Sequence, residues 1–337
     1  MVGKSQVSTA IVGCGAFVKA VHLPNMLKEG RYRIHAAVDL DENAAKGVAK
    51  EYGAAYATTD FDKALSDPEV DLVVLTTRHN KHAGMAIRAA EARKNILCEK
   101  PMGLTLQECS EVLRAVRKNG VQYCIGYNRA LAPLVCKGKA LIAQQKRPAV
   151  IYHRIQSYFQ ANEFHWILDE KEGGGRIISE GCHIFDMFCA LTGAEPVRVS
   201  AEGGIFTKSG KVTTPDTALI TVAFDNGSVA TMCIPSVGNS QAPKEWTEIY
   251  CGNMAVTIEN FQKMISCVGA TKEETTLPEV DKGHAVELKL LADALLTGTP
   301  VPNGAVSAMR SAVLCLKAIE AIQTHRVISV SPAEYGS

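Results

Sequence analysis

From residue 7 to residue 125 the chain alternates short apolar runs with helical patterns, and that rhythm constrains the fold more than any single residue. Residues 7–12, 34–38, 55–57, 70–75, 96–98 and 121–125 read as short strands, several of them continuous enough to be buried on both faces. Helical patterns follow the first strand and cover 42–52, 61–66, 85–93 and 106–118. Thr105 with Glu108 reads as a capping box at the start of the last of these. Such βα alternation specifies a doubly wound parallel sheet, an α/β N-terminal domain expected over 1–126.

Beyond Tyr127 the rhythm changes. A helix is expected over 134–145, then strands over 150–158, 197–205, 217–224, 228–233, 245–251 and 254–258. Asp225-Asn226-Gly227 is a hairpin turn, and 286–296 and 306–322 read as closing helices. Several strands alternate apolar and polar residues, as in an antiparallel sheet with one covered face. The expectation is an α+β C-terminal domain over 127–337 with a largely antiparallel open sheet. Its uncovered face would serve oligomerisation, giving a homodimer or homotetramer.

Composition narrows the partners. Hydrophobic residues make up 47% of the 337 and charged residues 21%, with a formal net charge of +1. No basic run or basic-aromatic stripe is present, which argues against nucleic acid. No apolar stretch reaches membrane-spanning length, and the first residues lead directly into a strand, so a cytoplasmic protein is expected. The eleven cysteines show no CxxC pair or recurring Cys/His spacing, which suits reduced thiols and no metal site.

Three segments carry chemistry. The first strand ends in Gly13-Cys14-Gly15-Ala16-Phe17-Val18, a turn whose glycines let backbone amides approach a pyrophosphate at a helix N-terminus. The second strand ends at Asp39, placed where a carboxylate grips a ribose 2′-hydroxyl and repels a 2′-phosphate. NAD is therefore expected over NADP. Next, a polar stretch runs from Thr76 to His82, and the strand 96–98 stops at Glu99-Lys100-Pro101. Ligands of open α/β sheets gather at the carboxyl ends of strands, which delivers Lys100 to a ligand crevice, although an isolated lysine more often reads as a solvated surface residue. Third, Gly173-Gly174-Gly175 leads into Glu180, His183 and Asp186, which share one side of a regular helix. A histidine between two acids suits proton exchange near neutral pH. As a lone residue it reads more readily as a satisfied, partly buried side chain at a helix end.

Together, Gly13-x-Gly15, Asp39, the Thr76-to-His82 stretch, Glu99-Lys100-Pro101 and the Gly-Gly-Gly…His…Asp segment resemble the glucose-fructose oxidoreductase / inositol dehydrogenase / MocA (Gfo/Idh/MocA) family over nearly the whole chain. The resemblance implies a Rossmann domain plus a substrate domain, and an NAD(P)-dependent oxidoreductase acting on a sugar, nucleotide sugar or cyclic polyol. It implies that Lys100 touches both cofactor and reacting oxygen and that His183 is the acid/base. Further cofactor contacts are then expected from Gly13, Gly15, Ala16, Phe17, Asp39, Thr76, Thr77, His79, His82 and Glu99. Substrate contacts are expected from Tyr127, Asn128, Arg129, His165, Trp166 and Glu180. The family pattern usually has an aspartate four residues before the histidine; Ser179 stands there, so either Glu180 or Asp186 is left to orient His183.

The reading is a dehydrogenase in which Lys100 stabilises the developing alkoxide and His183 removes the hydroxyl proton. Two alternatives stay open. One is an enzyme that retains NAD and oxidises its substrate only transiently, for elimination or glycoside cleavage. The other is a non-enzymatic NAD-binding regulator.

Overall fold

The computed structural model describes residues 4–157 and 165–336. The chain divides into two compact units, one of residues up to Gly126 with His284–Met309, the other of Tyr127–Gly283 with the residues from Arg310 onward.

In the first unit, among the described residues, six strands form one parallel sheet: β1 (Val7–Val12), β2 (Tyr32–Val38), β3 (Tyr56–Thr58), β4 (Leu72–Leu75), β5 (Asn95–Cys98) and β6 (Tyr123–Ile125). Their order is β3-β2-β1-β4-β5-β6, a doubly wound arrangement that reverses direction between β1 and β4. β1 and β4 are buried along their whole length, as their unbroken apolar sequences require. The helix Leu106–Asn119 opens with the capping box: Glu108 N–H donates to Thr105 Oγ1, and Thr105 N–H donates to the Glu108 carboxylate.

Two expectations about this unit need correction. The helix after β4 runs over His79–Glu91, so His79 to His82 form its first turn rather than a loop. Its N-cap, Arg78, makes no side-chain cap bond, which is why no capping signal marks the start. The helix His284–Thr297 belongs with this unit, not with a continuous second domain over 127–337. Its Leu288, Leu291, Ala292 and Leu295 join Ile11, Val18, Met26 and Tyr32 in one buried cluster. Tyr32 Oη donates to Leu288 O at 2.5 Å, and Arg31 pairs with Asp293.

In the second unit, nine strands are found among the described residues: β7 (Ala149–Ile155), β8 (Pro196–Gly204), β9 (Thr217–Phe224), β10 (Val229–Ile234), β11 (Glu245–Cys251), β12 (Met254–Glu259), β13 (Lys263–Val268), β14 (Thr271–Thr276) and β15 (Ile328–Ser329). They form one sheet in the order β14-β13-β12-β11-β7-β10-β9-β8-β15, antiparallel except for the β7–β10 pair. The β9–β10 hairpin turns at Asp225-Asn226-Gly227, with Gly227 N–H donating to Phe224 O. Alternation is clean: Ala149, Ile151, His153 and Ile155 of β7 are buried, whereas Val150 between them is 57% exposed. Leu219 and Tyr250 are also exposed. The inner residues are covered by helices that include Pro133–Gln145 and the almost wholly buried Cys182–Thr192. The sequence pattern missed β13–β15. β7 is described only to Ile155, and residue 158, where that strand was expected to end, lies outside the described residues.

Candidate active site

The first unit carries the glycine turn. Gly13 has φ +96°, and a Cβ there would come within 2.8 Å of Thr76 C and O. Only glycine lets the turn after β1 lie flush against the segment after β4. Thr76 Oγ1 fastens the same contact by donating to Gly13 O at 2.6 Å. Gly15, Ala16 and Phe17 are exposed, and a Cβ on Gly15 would meet nothing within 4 Å. That open space at a helix start is where a pyrophosphate fits. Asp39 closes the arrangement: Cys14 N–H donates to one carboxylate oxygen at 2.6 Å and Asp41 N–H to the other at 2.9 Å. Asp39 stays partly exposed, with lone pairs available for ribose hydroxyls. These residues fit a dinucleotide.

Lys100 follows β5, at the same carboxyl edge of the sheet as Gly13 and Asp39, and is partly exposed. Its backbone N–H donates to Glu99 Oε2 at 3.3 Å. Glu99 itself is buried, with Oε1 2.7 Å from His22 Nε2. A Cβ at Gly126 would lie 2.8 Å from that Oε1, so a glycine makes room for the carboxylate. Burial by itself would raise the Glu99 pKa. The hydrogen bond and charge of His22, aided by Lys100 and His284, outweigh it and hold the group well below the usual carboxylate range. Glu99 is therefore a buried carboxylate held between His22 and the Lys100 backbone.

His22 gave no sequence signal: it is one histidine on a helix. The structure places it at the end of a π-turn, Val18–His22, that interrupts the helix just after the glycine turn.

His82 is also held in the interior. It is completely buried, with Nδ1 2.8 Å from Pro101 O and Nε2 3.1 Å from Thr77 O. Burial lowers its pKa, against the pull of both carbonyls. The ring ties the segment after β5 to the segment after β4. His79 is buried beside it, ring centroids 5.6 Å apart, and Thr77 Oγ1 rests on Met85 Sδ.

The second unit carries His183, 5% exposed, in the first turn of Cys182–Thr192. A second π-turn, Ile177–Gly181, precedes it and breaks the regular register that would align Glu180, His183 and Asp186. Glu180 turns to Arg176, whose Nε donates to Oε2 at 2.9 Å; Ser157 Oγ lies 3.4 Å from that oxygen and Lys244 Nζ 3.4 Å from Oε1. Burial would raise the Glu180 pKa, but Arg176 and Lys244 bring it down to about 2. Arg176 is wholly buried and also donates to Ile155 O, Ser236 Oγ and Pro235 O. Asp186 is buried on the same helix as His183.

Of the three residues that open this unit, Tyr127 lies against the imidazole, its ring edge-on to His183 at 5.8 Å. Arg129 is buried in a bidentate pair with Glu245, at 2.7 and 3.1 Å, and Asn128 Nδ2 donates to Lys282 O at 2.8 Å. Both side chains are buried and are held by partners within this unit. His165 is exposed, accepts from Ile167 N–H, and lies 5.7 Å from the partly exposed Trp166 ring. Among the described residues no group of His, Cys, Asp and Glu could hold a metal ion, and no helix is long and apolar enough to cross a membrane.

Residues 7–127 match the oxidoreductase family model with an NAD-binding Rossmann fold, and residues 137–256 match the Gfo/Idh/MocA C-terminal domain. The chain belongs to the Gfo/Idh/MocA family. Among Gfo/Idh/MocA relatives, an uncharacterized oxidoreductase of Bacillus subtilis is 33% identical over 67% of this chain and 66% of its own length. The inositol 2-dehydrogenase of Rhizobium meliloti is 25% identical over 95% of this chain and 98% of its own. Matched stretches span 66% and 47% of the first two curated relatives. Levoglucosan dehydrogenase, solved with NADH and levoglucosan, shares the fold with a TM-score of 0.88 at 18% identity, covering 96% of this chain and 99% of its own. The six-stranded unit is thus the NAD-binding Rossmann domain of a Gfo/Idh/MocA protein.

Proposed function

We propose that the protein is an NAD-dependent dehydrogenase that oxidises a secondary hydroxyl of a sugar, sugar derivative or cyclic polyol. One observation carries the reading most: the buried Glu99 carboxylate, held by His22, supports Lys100 at the carboxyl edge of the sheet that also presents Gly13 and Asp39. Glu99 accepts from the Lys100 backbone N–H, which fixes the chain at the point where Lys100 leaves the sheet, and an electrophilic donor to a reacting oxygen needs a fixed starting point. In the proposed reaction His183 takes the hydroxyl proton while Lys100 stabilises the oxygen as it gains charge. Bound NAD supplies the acceptor for the hydride that leaves the carbon. Asp39 favours NAD over NADP, because its carboxylate would meet a 2′-phosphate with like charge.

Relatives named myo-inositol 2-dehydrogenase (26% identical) and scyllo-inositol 2-dehydrogenase (NAD(+)) (30% identical) support the substrate class. The exposed sheet face with Val150, Leu219 and Tyr250 supports a homodimer or homotetramer. The test is NADH formation with a panel of inositols, aldoses and nucleotide sugars, each with NAD or NADP. NADH from none of them, with NAD recovered bound to the protein, would favour transient oxidation instead.

A further inference from the structure

Beside the π-turn that precedes His183, the second unit gathers four cations about two glutamates. Each of two glutamates already has an arginine: the partly exposed Glu180 has Arg176, and the buried Glu245 has Arg129. Two lysines are then added to carboxylates that are already paired. Lys244 Nζ lies 3.4 Å from Glu180, and Lys282 Nζ lies 2.5 Å from Glu245. His153, against the same Glu245, is fully buried, and burial lowers its pKa, so it adds no charge near neutrality.

Both lysines line one cavity of about 490 Å³, together with Ser240, Gln241, Asn260 and Glu259. That volume falls within the range of small-molecule sites, roughly 300–1,000 Å³. Even with Glu259 counted against them, the four cations leave one positive charge in excess.

Lys282 is held in place rather than waving from the surface. Its side chain is 26% exposed, its ammonium sits 5.7 Å from the Phe261 ring, and its carbonyl accepts from Asn128 Nδ2. Asn260 and Phe261, in the turn between β12 and β13, are both left-handed, at φ 48° and 58°. Phenylalanine adopts that conformation only at a cost. Burial disfavours the Lys282 ammonium. A bound anion would offset that.

We propose that this cavity binds the anionic group of the substrate, so that the sugar or polyol carries a carboxylate or a phosphate monoester. The proposal rests on the reading above that His183 acts on a sugar or polyol. Lys244 links the two, since it contacts Glu180, three residues before His183. Ser240, Gln241 and Asn260 supply neutral polar groups to the cavity wall.

The test is calorimetry on the full chain with NAD present, using D-glucuronate, glucose 6-phosphate and glucose as probes. At least one acidic probe should bind about tenfold more tightly than glucose, the worth of one charge-assisted hydrogen bond. The advantage should shrink in high salt and in Lys244→Gln, whose side chain is half exposed and whose loss spares the fold. Glucuronate ahead of the phosphate identifies a sugar acid; the reverse identifies a sugar phosphate. Glucose binding as tightly as both acids, no binding by either acid, or a preference untouched by Lys244→Gln would each overturn the site. An anion preference without NADH from any substrate keeps the site and removes the dehydrogenase. NADH from neutral polyols without an anion preference does the opposite.

Discussion

Replacing His22 by alanine isolates the brace behind Lys100. His22 is fully buried and is the nearest partner of Glu99, itself 8% exposed. Removing the hydrogen-bond partner of a buried carboxylate leaves that charge uncompensated, which typically costs about 1–3 kcal/mol and more for a charged group. A second route gives a similar figure. A carboxyl brought from 4.5 to about 2 in the folded state contributes about 3 kcal/mol at neutral pH. For a unit of this size about 3 kcal/mol lowers the melting temperature by about 6–12 °C.

The pH dependence gives the sharper test. In the wild type the folded Glu99 pKa is depressed, so its contribution is present above the ordinary carboxylate value. It is lost as pH falls toward the folded value of about 2. With His22 gone, burial, the largest influence on Glu99, has less opposing it, and the Glu99 pKa is expected to move above its ordinary value. The buried charge then destabilises at neutral pH and is relieved by protonation, so melting temperature should rise from about pH 7 to about pH 5. Scanning calorimetry of both proteins across that range measures it. A variant that melts within about 2 °C of wild type, with the same pH slope, would show that the pair carries no such energy.

Asp39→Ala should narrow the preference for NAD over NADP, read from the two dissociation constants by fluorescence titration; an unchanged ratio removes Asp39 from cofactor choice. Lys100→Ala should lower kcat about 100-fold or more, and His183→Ala about 100- to 10,000-fold with loss of the limb of the pH–rate profile that titrates near neutrality. NAD affinity by calorimetry should stay within about tenfold in both, since the glycine turn and Asp39 make that contact. Light scattering should give a mass of two or four times 36.2 kDa, and Leu219→Asp on the exposed sheet face should lower it; a stable monomer in the wild type would refute the assembly.

Much of the first unit was legible because parallel strands buried on both faces are written as unbroken apolar runs, and because Gly13, Asp39 and Lys100 each sit at the end of one. What failed was long-range. His22 meets Glu99 across 77 residues, and Arg129 meets Glu245 across 116, with no local pattern to pair them. Arg129 therefore read as a substrate contact, with no sign of its buried partner. His82 read as part of a polar loop for a related reason, since a helix start without a side-chain cap looks like one. β14, Thr-Lys-Glu-Glu-Thr-Thr, is an exposed edge strand with no buried face, so alternation could not announce it. The register of Glu180 was lost to a π-turn, which adds a residue that periodicity does not count.

The helix His284–Thr297 has a consequence for how the chain is made. The Rossmann sheet is complete in sequence by Ile125, yet Leu288, Leu291, Ala292 and Leu295 belong to its core. A ribosome adding about 5–20 residues per second leaves that core open for roughly ten to thirty seconds after β6 has emerged. During that interval Ile11, Val18, Met26 and Tyr32 lack part of their cover. The sheet must wait for a helix synthesised after β7–β14 of the second unit, so the nascent chain carries an exposed apolar seam until residues 284–297 arrive.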